Sequence, residues 1–389
     1  MKLPDNLLFS IFQDQDARIK KALSEKTLDI ATGRRVRAIS EEPSITYNVI
    51  ELKKEIAQLS QHSQNRLFAD TNLTYVDFTL GKIEDTIKKL YADLLRTKNS
   101  ATVSSEQLIA MAEGFNQSIR QLLDRVNERL GQNYIFGGNS LTVKPFNENT
   151  LSYEAGPEDF EVWISENSKV SVFLEGGRVF KTNLYVSRAT FNSPTDSFSS
   201  AGSITIQIGT NTYTINYGGA GEPQNIEQLA NYINSTLGDK VLAFVSTNPD
   251  GTYSLALSTK DLSADMEFIS ITGNFSTGFD NPNILQAIKR VRDKLENGIY
   301  PDEFDLFSIN RSYDIVAMRR SEVGSVLNVV KNLQSTQENL DLVLKKQKSD
   351  LEDADIPESI MEYTRYRIAY EALMRIVADQ KDLTILRYL

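Results

Sequence analysis

Apolar residues repeat with heptad spacing near both ends of this chain. Towards the N-terminus the repeat comprises Leu73, Val76, Leu80, Ile83, Ile87, Leu90 and Leu94. Towards the C-terminus it comprises Val323, Val326, Val330, Leu333, Leu340, Leu344 and Leu351, with Gln337 and Gln347 at polar positions. Steps of three and four residues place these side chains along one helix face, which another helix must cover. We therefore predict antiparallel pairing of the N- and C-terminal segments, with the middle of the chain looped out as a separate domain.

A weaker helical pattern precedes the first repeat. Residues 14–31 place Ile19, Leu23 and Ile30 on one face, and Gly33 stands where a helix C-cap is expected. Isolated helices of this length are marginal in water, so this segment needs a partner.

Further helix signals frame the two repeats. Ser40 or Glu42 is predicted to begin a helix with Pro43 in its first turn, where a missing N–H costs little. A third helix is predicted over residues 105–130 and closed by Gly131. Helical periodicity returns at residues 283–295 and again at 312–351.

The period changes in the middle of the chain. In NYIFGGNS, Tyr134 and Phe136 are predicted on one side of an extended segment, and Gly137 and Gly138 turn the chain away from the helices. Short alternating runs such as SITIQIG and TYTINYG follow, and GTNT and NPDG predict hairpins. The middle is therefore predicted to be β-rich, with one short helix at residues 225–237 and Trp163 in the core.

The last segment stays apolar up to its final residue. Ile360, Tyr363, Tyr370, Leu373 and Val377 are predicted to share one helix face. A chain end is normally polar, so two interpretations are open: the helix packs into its own core, or it is held for a neighbouring subunit. The second interpretation defines a candidate assembly interface of Ile19, Leu23, Ile30, Tyr370, Leu373, Val377, Leu383, Ile385, Leu386, Tyr388 and Leu389.

Composition excludes several classes of function. With 389 residues there is room for two or three domains, and 40% apolar and 24% charged residues are ordinary for a globular protein. The net charge of −10 argues against a nucleic-acid partner. No apolar run approaches the roughly 20 residues of a membrane span, and the first residues lack the features of a cleaved signal peptide.

Catalytic chemistry has little support in the sequence. The chain has no cysteine, its one histidine, His62, lies in a polar helical stretch, and it contains no phosphate-binding glycine motif. We therefore expect no enzyme activity, no metal and no cofactor.

Three stretches resemble the flagellin and hook-associated group of bacterial flagellar axial proteins. The first is TGRRVRAISEEP, which is similar to the group's SGxRINxxSDDP and matches it at Thr32, Gly33, Arg34, Val36, Ser40 and Pro43. Glu41 and Glu42 stand where the group has two Asp. The second is NYIFGG, in which Tyr134, Phe136 and Gly137 resemble the turn GRYLFAG. The third is the ending TILRYL, which is close to SLLDYL.

The resemblance implies an α+β fold. Its N- and C-terminal segments pair in a long α-helical coiled coil or bundle, and a central β-rich domain is inserted between them. The implied domains are the terminal helices at 1–40 and 352–389, disordered in the monomer and ordered on assembly; an inner helical bundle at 41–140 and 283–351; and a β-rich insertion at 141–282.

Within the group, two features favour a hook-filament junction subunit. Flagellins usually continue the first motif as DDAAG, whereas this chain has Glu42-Pro43, and the YIFGG turn also suits the junction subunit. The resemblance implies type III export without a cleaved signal and an extracellular position in the flagellum. The implied partners are further copies of the chain, another hook-associated protein on the hook side, flagellin on the filament side and an export chaperone at the C-terminal helix.

Two alternatives remain open at this point. The nearer alternative is flagellin, the filament subunit itself. The further one is a ligand-binding or enzymatic module in the β-rich insertion, where Asp159, Glu161, Asp250 and Asp265 are scattered carboxylates.

Overall fold

The computed structural model describes residues 5–38, 40–99 and 103–385, with side chains at 10–38, 40–98 and 103–378. The helices are α1 (Asp5–Thr32), α2 (Pro43–Asn99), α3 (Ser105–Val126), α4 (Gly176–Val179), α5 (Ile226–Leu237), α6 (Ile284–Glu296), α7 (Glu303–Glu352) and α8 (Ile356–Ile385). The strands are β1 (Arg129–Leu130), β2 (Asn133–Tyr134), β3 (Phe160–Ser165), β4 (Ser168–Phe173), β5 (Leu184–Ser187), β6 (Gly202–Ile208), β7 (Asn211–Tyr217), β8 (Val241–Thr247), β9 (Tyr253–Thr259), β10 (Met266–Ile271) and β11 (Phe279–Asp280). Long helices at both ends and strands between them confirm the predicted fold class.

The chain divides into two compact units. The first unit consists of Met1–Gln64 and Leu333–Leu389, and the second consists of Asn65–Asn332. In the described ranges the first unit is helical, with α1, α8 and parts of α2 and α7. The second unit contains the rest of α2 and α7, the helices α3 to α6 and all eleven strands.

The N-terminal heptad repeat is confirmed in the second unit. All seven residues from Leu73 to Leu94 are buried. Arg320 of α7 donates to Asp77 and to Glu84 of α2, each at 3.1 Å. The carboxylate of Glu84 also raises the pKa of Tyr313, which lies two turns before Arg320 on α7. Residue numbers rise along α2 as they fall along α7, so these helices pair in the predicted antiparallel sense.

The C-terminal heptad repeat is buried at only some of its positions. Val323, Val330 and Leu344 are buried as predicted, but Leu340 is 41% exposed. The prediction is wrong at Leu340, which is exposed although Leu344, one turn further along α7, is buried. Helix α7 also begins at Glu303, earlier than the predicted position 312.

Helix α3 is shorter than the sequence predicted. Its buried face, which includes Phe115 and Ile119, is confirmed, but the helix ends at Val126. The side chain of Asn127 accepts from the Phe146 N–H at 2.8 Å and donates to the Phe146 carbonyl at 3.0 Å. This long-range pairing takes the chain out of the helix. Gly131, with φ +66°, then forms the turn between β1 and β2, so its prediction as a helix C-cap is wrong.

The β-rich region contains four antiparallel sheets, ordered β1-β2, β3-β4, β10-β6-β7 and β11-β5-β9-β8. Both predicted hairpins are confirmed: Ile208 pairs with Asn211 across the β6–β7 turn, and Thr247 pairs with Tyr253 across the β8–β9 turn. Helix α5 covers the core between the two larger sheets, which includes Ile204, Ile215, Leu229, Ile233, Leu255 and Phe275.

Trp163 does not lie in the core. It is 49% exposed, and the ammonium nitrogen of Lys169 lies 4.6 Å from the centroid of its ring. Side chains alternate along β3, and the neighbouring Ile164 takes the buried position. The prediction for Trp163 was wrong because periodicity alone gave no indication of which side of the β3–β4 hairpin faces inward.

Candidate assembly site

Helices α1 and α8 pair in the first unit. Lys26 of α1 and Glu362 of α8 form an ion pair of 2.7 Å, and the Lys20 ammonium lies 5.7 Å from the ring centroid of Tyr370. Residue numbers rise along α1 as they fall along α8, so the pairing is antiparallel. The hydrogen bond to Glu362 raises the pKa of Lys26, as expected for an ammonium group that has gained an acceptor.

The candidate interface residues with described side chains follow this helix pair. Ile19, Leu23 and Ile30 are half-buried and lie at three- and four-residue steps on the same face as Lys26. On α8 the candidate residues Tyr370, Leu373 and Val377 are also half-buried. The structure thus places these six residues along the two paired helices of one chain.

The C-terminal residues of the predicted interface have no described side chains. Leu383 and Ile385 belong to the backbone of α8, while Leu386, Tyr388 and Leu389 lie outside the described residues. Helix α1 is 28 residues long and begins before the predicted position 14, so it is longer than the sequence indicated.

Ile360 lies outside the paired stripe. It is 48% exposed, whereas the preceding residue, Ser359, is buried. Consecutive residues differ by about 100° around a helix, and contact with a single partner helix covers only a narrow stripe. Ile360 is therefore left largely uncovered, which agrees with the interpretation that this helix face is held for a neighbouring subunit.

The outside of the α1–α8 pair carries further apolar side chains. On α8 these are Ile360, Met361, Ile368, Met374 and Ile376, and on α1 they are Ile11 and Leu28. Ile368 alone is 58% exposed. Exposed apolar groups of this density on one helix are typical of a surface that another chain covers. We call this set the outer apolar surface.

The first family-like motif builds a joint between two turns. We call residues 33–36 and 352–354 the turn joint. The Arg35 N–H donates to the Glu352 carbonyl, and the Ala354 N–H donates to the Gly33 carbonyl, both at 2.9 Å. Arg34 and Asp353 form an antiparallel bridge between the segments. The turn that follows α1 is thereby held to the turn that follows α7.

Gly33 ends α1 as the sequence predicted. Its φ of +69° is a left-handed conformation that a Cβ atom disfavours, and its N–H donates to the Asp29 carbonyl at 2.9 Å. The neighbouring Thr32 hydroxyl donates to the Leu28 carbonyl at 2.7 Å, and Val36 is buried.

Two buried carboxylates bring charges to the turn joint. Glu352 is only 3% exposed, and Lys53, Arg34 and Lys348 approach it at 2.8, 3.4 and 3.7 Å. Asp29 is also buried and pairs with Arg37 at 2.8 Å. A buried carboxylate is costly unless it is paired, so these contacts make the geometry of the joint specific.

The rest of the motif starts α2. Ser40 is an exposed turn residue, and Pro43 is the first residue of the helix. The Thr46 N–H donates to the Glu42 carbonyl at 3.0 Å, so the predicted start at Glu42 with Pro43 in the first turn is confirmed. The Arg37 N–H donates to Glu41 at 2.9 Å and lowers the pKa of that carboxyl.

The second family-like motif is a buried corner in the second unit. Tyr134, Ile135 and Phe136 are all buried, so the segment is covered on both sides. The Phe136 and Phe180 rings are 4.9 Å apart. A Cβ atom on Gly137 would come within 3.0 Å of the Ser140 carbonyl oxygen, which explains the glycine at this turn.

The carboxylates of the β-rich region do not converge on a common site. Asp159 pairs with Arg178, Glu161 lies 3.6 Å from Lys169, and Asp265 lies 2.8 Å from Lys181. Asp250 bonds to Thr252, and this contact lowers its pKa. Each carboxylate has its own local partner, and the described residues contain no cluster of three or more metal-ligating side chains.

Neither the single histidine nor any described helix supports a catalytic or a membrane-spanning role. His62 is half-buried on α2. Among the described helices, none combines the length and apolar character required to cross a membrane.

Comparison with known proteins points in one direction. No family model matches the chain. Flagellar hook-associated protein 3 of Escherichia coli strain K12 is 24% identical over 152 residues, and that of Salmonella typhimurium strain LT2 is 23% identical over 154 residues. Each alignment covers 39% of this chain and 48% of the relative, so the chain spans about half the length of the curated relatives it matches.

A solved structure shares the fold. Flagellar hook-associated protein 3 from Legionella pneumophila superposes with a TM-score of 0.53 and 16% identity, covering 78% of this chain and 98% of that chain. The helical ends and the β-rich middle of this chain resemble the arrangement in flagellar axial proteins of the hook-associated class. Within that class the chain resembles flagellar hook-associated protein 3, the name shared by both curated relatives and the solved structure.

No sequence signal identifies the charged residues Glu352 and Lys53 of the turn joint. Glu352 and Lys53 lie in ordinary polar positions of long helices and are far apart in the chain. Arg34 belongs to the first family-like motif, but its contacts with Glu352 and Asp353 depend on the position of the α7–α8 turn.

Proposed function

We propose that this chain is a structural, non-enzymatic subunit of the bacterial flagellum that forms the junction between hook and filament. In this role the protein is exported, lies outside the cell and polymerises at the tip of the hook. Its relatives are named flagellar hook-associated protein 3, and the motif residues Glu42 and Pro43 favour the junction subunit over flagellin.

The observation that carries the proposal is the outer apolar surface of the α1–α8 pair. The two helices cover each other only along a half-buried stripe, and Met361, Ile368 and Ile376 remain exposed on α8. When a neighbouring subunit covers exposed apolar groups, their burial stabilises the assembly by roughly 25 cal/mol per Å² of apolar surface. A head-to-tail contact of this kind produces a helical ring or filament.

The proposed partners follow from the junction role. The chain assembles with other copies of itself and with other flagellar proteins: a further hook-associated protein on the hook side and flagellin on the filament side. Before assembly, an export chaperone covers the C-terminal helix α8, because its apolar surface would otherwise be exposed to water.

We further propose that the segments of the chain have different roles in the assembled subunit. The terminal segments 1–40 and 352–389 become fully ordered when the subunit assembles, because new burial then offsets the entropy of ordering. The helices of 41–140 and 283–351 form the inner bundle of the subunit, and the β-rich segment 141–282 is inserted between them.

A deletion strain tests the junction role. Hook-basal bodies from cells that lack this chain should carry hooks without attached filaments in electron micrographs, and flagellin should appear in the medium. The wild-type gene and the conservative Ile368→Leu variant should restore filaments, whereas Ile368→Glu should not.

Two outcomes would contradict the proposal. Filaments on the deletion strain would show that another protein connects them. Unlimited growth of the purified chain into long filaments from a seed would identify a filament subunit instead.

A further inference from the structure

The β-rich region contains strand edges that differ in how they are protected. The outer edge of β8 is occupied by Asn234 of α5, whose amide donates to the Ala243 carbonyl at 2.7 Å and accepts from its N–H at 2.8 Å. The edge strand β10 carries Glu267 and a register shift between Phe268 and Ser270. A bulge, a charge or a covering side chain blocks pairing with another strand.

Strand β7 has none of these protections. It pairs with β6 in an unbroken register from Gly202–Tyr217 to Ile208–Asn211, and its seven residues include no proline and no charged residue. It is the last strand of the β10-β6-β7 sheet, and in the described part of the chain no strand lies on its other side. Such an edge is a ready template for another strand.

The hairpin geometry identifies the free main-chain groups. A two-residue turn joins β6 to β7, so Ile208 and Asn211 form a hydrogen-bonded pair and every second pair along the ladder does the same. The N–H and C=O groups of Thr212, Thr214 and Asn216 therefore point away from β6. They supply three donors and three acceptors along the free edge.

We propose that the free edge of β7 pairs in antiparallel fashion with β7 of a second copy of this chain, around a two-fold axis at Thr214. In this register Thr214 faces itself and Thr212 faces Asn216, which makes these the hydrogen-bonded pairs. Tyr213 faces Ile215, and Asn211 faces Tyr217. The two sheets join into one sheet of six strands.

The strand is complementary to itself in this register. Thr212, Thr214 and Asn216 are exposed, while Ile215 and Tyr217 are buried on the core side, so each residue meets one from its own face. The Tyr213–Ile215 pair is of the favourable aromatic–β-branched kind. With a net charge of −10, two copies repel each other, and an uncharged strand is where that repulsion is smallest.

This contact does not depend on the proposed function. A two-fold contact differs from the head-to-tail contact of a ring, so it pairs free subunits or subunits of separate assemblies. Variants that abolish it leave α1 and α8 unchanged.

Single charges on the strand test the pairing. Thr214→Lys places two ammonium groups opposite each other at the axis, and Thr214→Glu places two carboxylates there. The matched control is Thr205→Lys, because Thr205 faces Thr214 on the central strand β6 and has no free edge. The full chain and each variant are examined by sedimentation velocity over a concentration series up to about 1 mM, where even weak pairs form.

We expect wild type and Thr205→Lys to show a concentration-dependent dimer that both Thr214 variants lack. An equimolar mixture of Thr214→Lys and Thr214→Glu should dimerise again, since opposite charges then meet at the axis. Amide exchange at Thr212, Thr214 and Asn216 should slow with concentration in the wild type. The proposal is overturned if the wild type stays monomeric, or if the Thr214 variants associate as the wild type does.

Discussion

Lys53 and Glu352 form a hydrogen bond of 2.8 Å although 299 residues of chain separate them. Lys53 lies on α2 and Glu352 is the last residue of α7. The bond therefore joins the N-terminal and the C-terminal segment of the first unit. Arg34 reaches the same carboxylate from the turn after α1. One buried side chain therefore fixes how the turns of the terminal helices meet.

Replacing this carboxylate should loosen the first unit. Glu352→Gln keeps the shape of the side chain but removes the charge that Lys53 and Arg34 face. Both cations are about half-exposed and can return to water, so we expect a loss of about 1–2 kcal/mol in the free energy of unfolding. Urea denaturation followed by circular dichroism measures it. Asp350→Asn, an exposed change on the same helix, is the control, and an equal loss there would contradict a special role for Glu352.

Charges placed along the heptad repeats should act according to burial and not according to spacing. Leu80 is fully buried, so Leu80→Asp should cost more than about 4 kcal/mol and unfold the helical part of the second unit. Leu333→Asp, at a half-buried position, should cost less. Leu340→Asp should be tolerated because the side chain is exposed. Thermal melts by circular dichroism rank the three, and a severe effect at Leu340 would show that this residue is covered.

Removing residues 383–389 should separate folding from assembly. We expect the melting temperature of the monomer to change little, because the pair of α1 and α8 already has described contacts at Lys20–Tyr370 and Lys26–Glu362. Incorporation at the hook tip should stop, so that cells form hooks and release flagellin into the medium. Normal swimming by cells with this truncation would refute the assembly role of the chain end.

A buried charge cluster in the second unit should make stability depend on pH. Asp305 bonds to Lys294, which also pairs with Asp302 at 2.8 Å. Arg290 interacts electrostatically with both carboxylates. Burial raises the pKa of Asp305 to about 6, above its value of about 4 in an unfolded chain. Between these values the folded state binds a proton that the unfolded state does not. The free energy of unfolding should therefore rise as pH falls from about 7 to 5.

A variant isolates this contribution. Asp305→Asn cannot titrate, so urea denaturation at the two pH values should show a smaller rise than in the wild type. Burial opposes ionisation of Asp302, but Lys294 and two N–H donors outweigh it and lower its pKa, so Asp302 acts below this window. The same pH dependence in wild type and Asp305→Asn would assign the titration to another group.

The sequence by itself determined the elements whose causes are local. The buried face of α3, the start of α5 after Asn225 and the start of α6 after Asn283 follow from apolar spacing and capping residues. The turn at Gly33 follows from a conformation that suits glycine. The heptad repeats also predicted antiparallel helices, because a helix with an apolar stripe needs a partner.

Only the tertiary structure decided the features that depend on distant parts of the chain. Helix α3 ends at Val126 because the side chain of Asn127 hydrogen-bonds to the main chain of Phe146. Trp163 is exposed because the neighbouring Ile164 takes the buried position. The charges around Glu352 come from α2, α7 and the turn after α1. Periodicity specifies which residues share a face, but which face is buried, and which charges meet there, depends on the packing of the whole chain.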